Sequence, residues 1–268
     1  MDKTCILRSN LKKNILKEVI IRLDFEGVLQ AEMEKILLPA KPYLRKKGFN
    51  RYEEKISNQI VENENTLKDL KSQIIYSFTA EASGYILYLS NTSVVLTVRS
   101  QSYFPFEVYA DIFFNIVDFY RKSIDFFTPK RFGLRKINYC FVTSKESIGK
   151  YFNPLYYNCD VPIEGCESQT VERIDRIIGE KNSFNLRYTI EKGQIGDRSC
   201  YKVSLDSDAY MTNYEDIENL FSDRKNLSLI NETIFRIFIS ALTDKFLEVL
   251  LGKKESNEEE ISGVELNE

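Results

Sequence analysis

Asp206 and Asp208 stand two apart at the end of an apolar run, a spacing that can hold a divalent cation through carboxylate oxygens, with Glu215 and Asp216 nearby to complete the ligand set. That arrangement would suit a metal-dependent hydrolase or nuclease. The simpler account is a pair of hydrated, unpaired loop carboxylates. Other catalytic chemistry is sharply limited, because 268 residues contain no histidine. A Ser-His-Asp triad, a Cys-His dyad and a histidine general base are excluded. So are His-ligated zinc, histidine-held haem and the iron facial triad. The 11 glycines are scattered and make neither a P-loop nor a dinucleotide fingerprint. No cofactor is implied.

Binding chemistry has more candidates. Residues Lys41 to Tyr52 mix Lys41, Arg45, Lys46, Lys47 and Arg51 with Tyr43, Phe49 and Tyr52. Cations for phosphates beside aromatics for stacking are what a single-strand nucleic-acid surface uses. Solvated lysines beside core aromatics give the same pattern. Within the strand Arg131 to Val142, Arg135 and Asn138 are polar among apolar neighbours; turned into a cleft, either would grip a carboxylate, phosphate or backbone of a partner. Arg99 and Arg187 are further arginines on strands.

Composition bounds the setting. Hydrophobic residues make up 43% and charged residues 29%, the balance of an ordinary soluble globular chain. Lys3, Arg8, Lys12, Lys13 and Lys17 interrupt the first residues, so no secretory signal is expected. The uncharged stretch Ala82 to Val98 is broken by polar residues and predicts two strands and a turn, not a membrane span. Five cysteines (Cys5, Cys140, Cys159, Cys166, Cys200), an odd number, suit a reducing cytoplasm. Net charge is −3, yet the last 14 residues carry six glutamates and no cation, which leaves the body basic. The low apolar content of residues 253–268 predicts a disordered acidic tail.

The elements that must position these residues run in an order met twice. A strand at Glu18 to Phe25 precedes a helix closed by Pro39 and Pro42. A polar connector follows over 43–72, then strands at Ile74 to Ala80, Tyr85 to Ser90 and Val94 to Arg99, then a long helix after Pro105. The second run has a strand at Phe132 to Val142, a short helix from Ser144, strands at Thr170 to Ile178, Phe184 to Glu191 and Cys200 to Leu205, and a helix from about Leu227 to Leu251. Asn226 or Ser228 is positioned to cap that helix and Gly252 to stop it. The expectation is an α+β fold of two similar β-α-β-β-β-α lobes, residues 1–130 and 131–252. Their sheets are largely antiparallel, with long helices packed on one face and a cleft between the lobes.

Three blocks carry a resemblance. Glu18-Val-Ile-Ile-Arg-Leu-Asp-Phe25, the block Arg131-Phe-Gly-Leu-Arg-Lys-Ile-Asn138 and the closing Asn231-Glu through Phe238 to Thr243-Asp244 together resemble a prokaryotic family known as sporadically distributed proteins. Order and spacing match over about residues 15–252. Lys136 stands where that family often has an aromatic. The resemblance implies no activity; patchy distribution implies mobile genes, as in defence or toxin–antitoxin loci.

The expected function is therefore a non-enzymatic cytoplasmic adaptor, a sensor or scaffold in a multi-gene antiviral system. Its partner would be a protein encoded nearby, an ATPase or a nuclease. The partner-binding candidates are Arg135, Asn138, Arg99 and Arg187. A nucleic-acid-binding component using residues 41–52 is the first alternative and a carboxylate enzyme the second.

Overall fold

Val19, Ile21, Leu23 and Phe25 alternate with Glu18, Ile20, Arg22 and Asp24, a period of two that gives a strand one apolar and one wetter face. The computed structural model describes residues 2–62, 68–99, 105–158, 169–196, 198–255 and 260–266, with side chains of 57–72 excepted. In chain order its strands are β1 (Lys13–Asn14), β2 (Leu16–Glu26), β3 (Arg51–Glu62), β4 (Lys68–Ala80), β5 (Tyr85–Leu89), β6 (Ser93–Val98), β7 (Thr128–Val142), β8 (Thr170–Ile178), β9 (Ser183–Ile195), β10 (Arg198–Met211), β11 (Ile261–Ser262) and β12 (Glu265–Leu266). The helices are α1 (Met33–Lys46), α2 (Phe106–Ser123), α3 (Lys145–Tyr151), α4 (Tyr214–Ser222), α5 (Lys225–Ser240) and α6 (Asp244–Leu250). The fold is α+β. None of the described helices is long and apolar enough to cross a membrane.

One antiparallel sheet runs β3-β4-β5-β6-β2-β7-β10-β9-β8, with β11 added beside β7 and a separate β1–β12 pair. Each half leaves a central strand, crosses through a helix to an outer edge and meanders back. The first meander has four strands (β3 to β6) and the second three (β8 to β10), so the two runs differ by one strand. The halves share a continuous sheet through the β2–β7 pairing and are not separate sheets.

The apolar faces of the strands meet the helices in two clusters. The first joins β2 and β4 to β6 with α1, α2, α4 and the start of α5, and also takes Phe132, Leu134, Ala209 and Met211 from the second half. The second collects Cys140, Val142, Leu186, Val203 and Leu205 with α3, the end of α5 and α6. It also takes Ile6, Leu11 and Ile15 from the N-terminal segment. That segment is anchored by Lys3 Nζ on the Leu242 carbonyl (2.5 Å) and by Arg236 on the carbonyls of Lys3, Thr4 and Ile6. The division at residue 130/131 therefore falls within β7 and is not a boundary between cores.

Several expectations are corrected. Pro39 and Pro42 lie inside α1. The carbonyls their missing N–H groups would have met, those of Lys35 and Leu38, belong to exposed residues where water can serve, while Met33, Ile36, Ala40 and Leu44 hold the inner face. The 43–72 connector instead supplies β3 and the start of β4; β3 is an edge strand, which needs no apolar face of its own. Residues 227–251 form two helices, broken at Ala241 to Thr243, where the Thr243 hydroxyl accepts from Phe246 N at 3.3 Å and starts α6. Asn226 and Ser228 lie within α5 and do not cap it, since its N-cap is Arg224.

The C-terminal residues also differ from the expected disordered tail. Residues 260–266 are ordered through β11 and β12, with Ile261 only 1% exposed in the second cluster and Glu260 accepting from Lys150 and Tyr151. Ile261→Val should cost about 1 kcal/mol in urea-induced unfolding. A disordered tail would show no change. Glu258, Glu259 and Glu268 lie outside the described residues, as do Cys159 and Cys166.

Candidate functional site

Alternation along β7 sends its two sets of side chains to opposite faces. Phe132, Leu134, Lys136, Asn138, Cys140 and Val142 are buried toward the helices; Arg131, Arg135, Ile137, Tyr139 and Phe141 lie on the other face, which no described helix covers. Arg135 and Asn138, paired in expectation, are thus on opposite sides of the sheet.

On the open face, cross-strand register lines up Arg176 (β8), Asn185 (β9), Asp208 (β10) and Arg135 (β7) in one row. The ion pairs run diagonally to it. Arg135 reaches Asp206 with two hydrogen bonds, Nε to Oδ1 at 2.7 Å and Nη2 to Oδ2 at 2.5 Å, and Arg131 reaches Asp208 at 2.8 Å. Gly133 makes the second pair possible: a Cβ there would lie 2.9 Å from the Arg131 guanidinium, which crosses that position toward Asp208 and sits 5.1 Å from the Tyr210 ring. Burial raises the Asp208 carboxyl above its usual range, against the opposing pull of Arg131 and Arg135. The hydrogen bonds to Asp206 hold the Arg135 guanidinium yet more firmly protonated.

Asp206 and Asp208 are therefore mid-strand residues engaged by arginines. The expectation of a strand ending at Leu205 is corrected, because β10 continues to Met211. Their carboxylate lone pairs face guanidinium donors, and among the described residues no group of three or more Cys, Asp or Glu is placed to hold a metal.

These side chains line a groove of about 400 Å³ bounded by Arg135, Ile174, Arg176, Arg187, Asp206, Asp208 and Tyr210. The groove opens beside β8, whose outer edge has no strand partner among the described residues. Alternation along β8 leaves Ile174 and Ile178 on the open face and Ile177 on the other, all three exposed, Ile178 at 87%. Arg187 pairs with Glu172 at 3.2 Å, while Arg176 makes no ion pair among the described residues. Arg135 and Arg187 thus share one groove. Arg99 lies beyond β2, paired with Glu18 at 2.8 Å, and is not part of it.

The basic-aromatic segment forms a second groove at the other end of the sheet. Lys41, Arg45, Arg51 and Tyr52 line about 450 Å³ with Leu44, Phe49 and Phe78, and Lys41 Nζ sits 4.3 Å from the Tyr52 ring. Lys46 and Lys47 do not line it; Lys47 lies 5.8 Å from the Tyr43 ring. Carboxylates temper its charge. Arg51 pairs with Glu53 and Glu81, and the Tyr52 hydroxyl donates to Glu54.

Lys136 is the functional candidate that attention to Arg135 and Asn138 passes over. It occupies an inward position of β7, 6% exposed, beside Asn138 at 5%. No protein-family model matches the chain, and no curated protein matches it significantly.

Proposed function

We propose that this chain is a non-enzymatic cytoplasmic binding protein that docks an extended segment of a protein partner along β8 and the groove beside it. The observation that carries this is the pairing of a strand edge that has no partner among the described residues with exposed Ile174 and Ile178 next to a groove of mixed charge. A free edge offers backbone donors and acceptors to an added strand, and alternate side chains supply specificity. Apolar anchors bordered by arginine and tyrosine match the composition of interface centres. Because Arg131, Arg135 and Arg187 each meet a carboxylate, the groove has little net positive field and favours a protein over a nucleic-acid backbone. The setting we infer is a sensor or scaffold subunit of a multi-gene bacterial system of the antiviral or toxin–antitoxin kind. Its partner would be the product of a neighbouring gene, an ATPase or a nuclease. The resemblance to the sporadically distributed family supports that setting by analogy alone.

Affinity capture from cells co-expressing the neighbouring gene products tests the proposal. The wild-type chain should retain one stoichiometric partner. Retention should fall at least about tenfold for the double variant Ile174→Asp/Ile178→Asp. Leu38→Asp, on the exposed side of α1, should leave it unchanged. Absence of a partner, or equal retention by the double variant, ends this account. Salt-sensitive retention of single-stranded nucleic acid, abolished by Lys41→Glu with Arg45→Glu, would move the role to the second groove.

A further inference from the structure

On the covered side of the sheet, β7 places a lysine where an apolar residue would be expected. Lys136 lies in register between Ser207 of β10 and Val19 of β2, under the junction of the two core clusters. Its Nζ donates to Asn231 Oδ1 at 2.5 Å and sits 5.6 Å from the Phe106 ring. Arg8 converges on the same acceptor: Nη1 donates to Asn231 Oδ1 and Nη2 to the Asn231 carbonyl, both at 2.9 Å. One amide oxygen thus receives both cationic groups, and neither makes an ion pair among the described residues. The carboxylates whose charge reaches Lys136 are Glu107 and Glu232, and Glu232 is itself paired with Arg236 at 2.6 Å.

Uncompensated charge is costly to bury, and a chain under selection for stability alone would replace it. Two polar groups beside Lys136 sharpen the point. Asn138 is 5% exposed and lines the cavity. The fully buried Ser207 Oγ has no hydrogen-bond partner among the described residues. Arg8, Asn14, Tyr109, Lys136, Asn138 and Phe235 surround a cavity of about 50 Å³. That is room for roughly three to five water-sized groups.

We propose that this cavity binds a small oxyanion, a carboxylate or an inorganic oxyanion, with Lys136 and Arg8 supplying the charge and Asn138 an amide N–H. Such a ligand supplies the negative charge that the two cations lack and an acceptor for the remaining Lys136 N–H groups. The site lies on the opposite face of β7 from the groove and does not depend on the partner proposal.

Thermal unfolding at fixed pH and ionic strength, with sodium acetate, sodium nitrate or sodium phosphate replacing sodium chloride, decides the matter. At least one oxyanion should raise Tm saturably, by about 3 °C or more over chloride. Acetate alone would identify a carboxylate ligand, nitrate or phosphate alone an inorganic one, and both together the shared chemistry. The rise should vanish in Lys136→Met and in Asn138→Leu but persist in Arg135→Gln, on the other face of the same strand. If no oxyanion exceeds chloride, or Lys136→Met retains the same rise, the proposal is overturned. In the wild-type chain, the Lys136 side-chain NMR resonance should move with the effective anion over the same concentration range. A resonance unmoved by every anion also overturns it.

Discussion

Gly27→Ala should destabilise the fold by about 3–5 kcal/mol, measured by urea denaturation. Gly27 directly follows β2 with φ +85°, a conformation that side chains rarely adopt, and a Cβ there would lie 1.7 Å from the Phe126 carbonyl oxygen. Neither problem can relax cheaply. Phe126 leads into Phe127 and the start of β7, and the Phe127 ring packs 4.8 Å from Phe25. Glu26 and Thr128 are register partners at the end of the β2–β7 ladder, the pairing that joins the two halves. Relief of the clash would therefore peel apart the junction of the sheet. A cost below about 1 kcal/mol would mean that the β2–β7 ladder is not closed at this end.

Lys136→Met should do the reverse and stabilise the protein by about 2–3 kcal/mol at neutral pH in chloride buffer. Burial, aided by the nearby Arg8 charge, pushes the Lys136 ammonium well below the ordinary lysine range. The unfolded chain then binds a proton that the folded chain gives up over the interval between the two pKa values. In that interval stability rises with pH, by at most about 1.4 kcal/mol per pH unit. It levels off once pH passes the free-lysine value of about 10.4. Methionine fills nearly the same volume and has no proton to lose, so its advantage should shrink as pH climbs toward that value. The check is a pair of denaturation series across neutral to alkaline pH, read as the difference between the two proteins so that tyrosine titration cancels. A destabilised Lys136→Met, or a difference independent of pH, would show that the ammonium is adequately solvated where it lies. The expected gain also explains the cavity's cost: stability is given up where charge is needed for binding.

Much of this arrangement is legible in the sequence once period two is applied strictly. Phe132, Leu134, Cys140 and Val142 mark the even positions of β7 as inward, which commits Lys136 and Asn138 to the buried face and Arg135 to the open one. The same alternation continues β10 through Ala209 and Met211, so Asp206 and Asp208 belong to a strand and not to a loop. The α+β class, the paired strands from β4 to β6, the position of α2 and the Ser144 cap of α3 also follow from local signals.

Other features depend on tertiary context. β3 has the polar character of an edge, and α1 keeps its prolines because its core face outweighs two lost hydrogen bonds. The diagonal Arg135–Asp206 and Arg131–Asp208 pairs need the β7–β10 register, which hydrophobic pattern alone does not supply. Anchoring of the N-terminal segment by Arg236, and the seat of Ile261 beside β7, are contacts across more than a hundred residues of sequence. No local propensity encodes them.

Docking along β8 and its groove is tested by amide hydrogen exchange of the captured complex compared with the free chain. A partner strand added at the edge should protect the amides of Thr170–Ile178 and slow exchange in the neighbouring segments of β9 and β10, while α1, α2 and α5 exchange as before. Protection confined to those helices, with β8 unchanged, would contradict it.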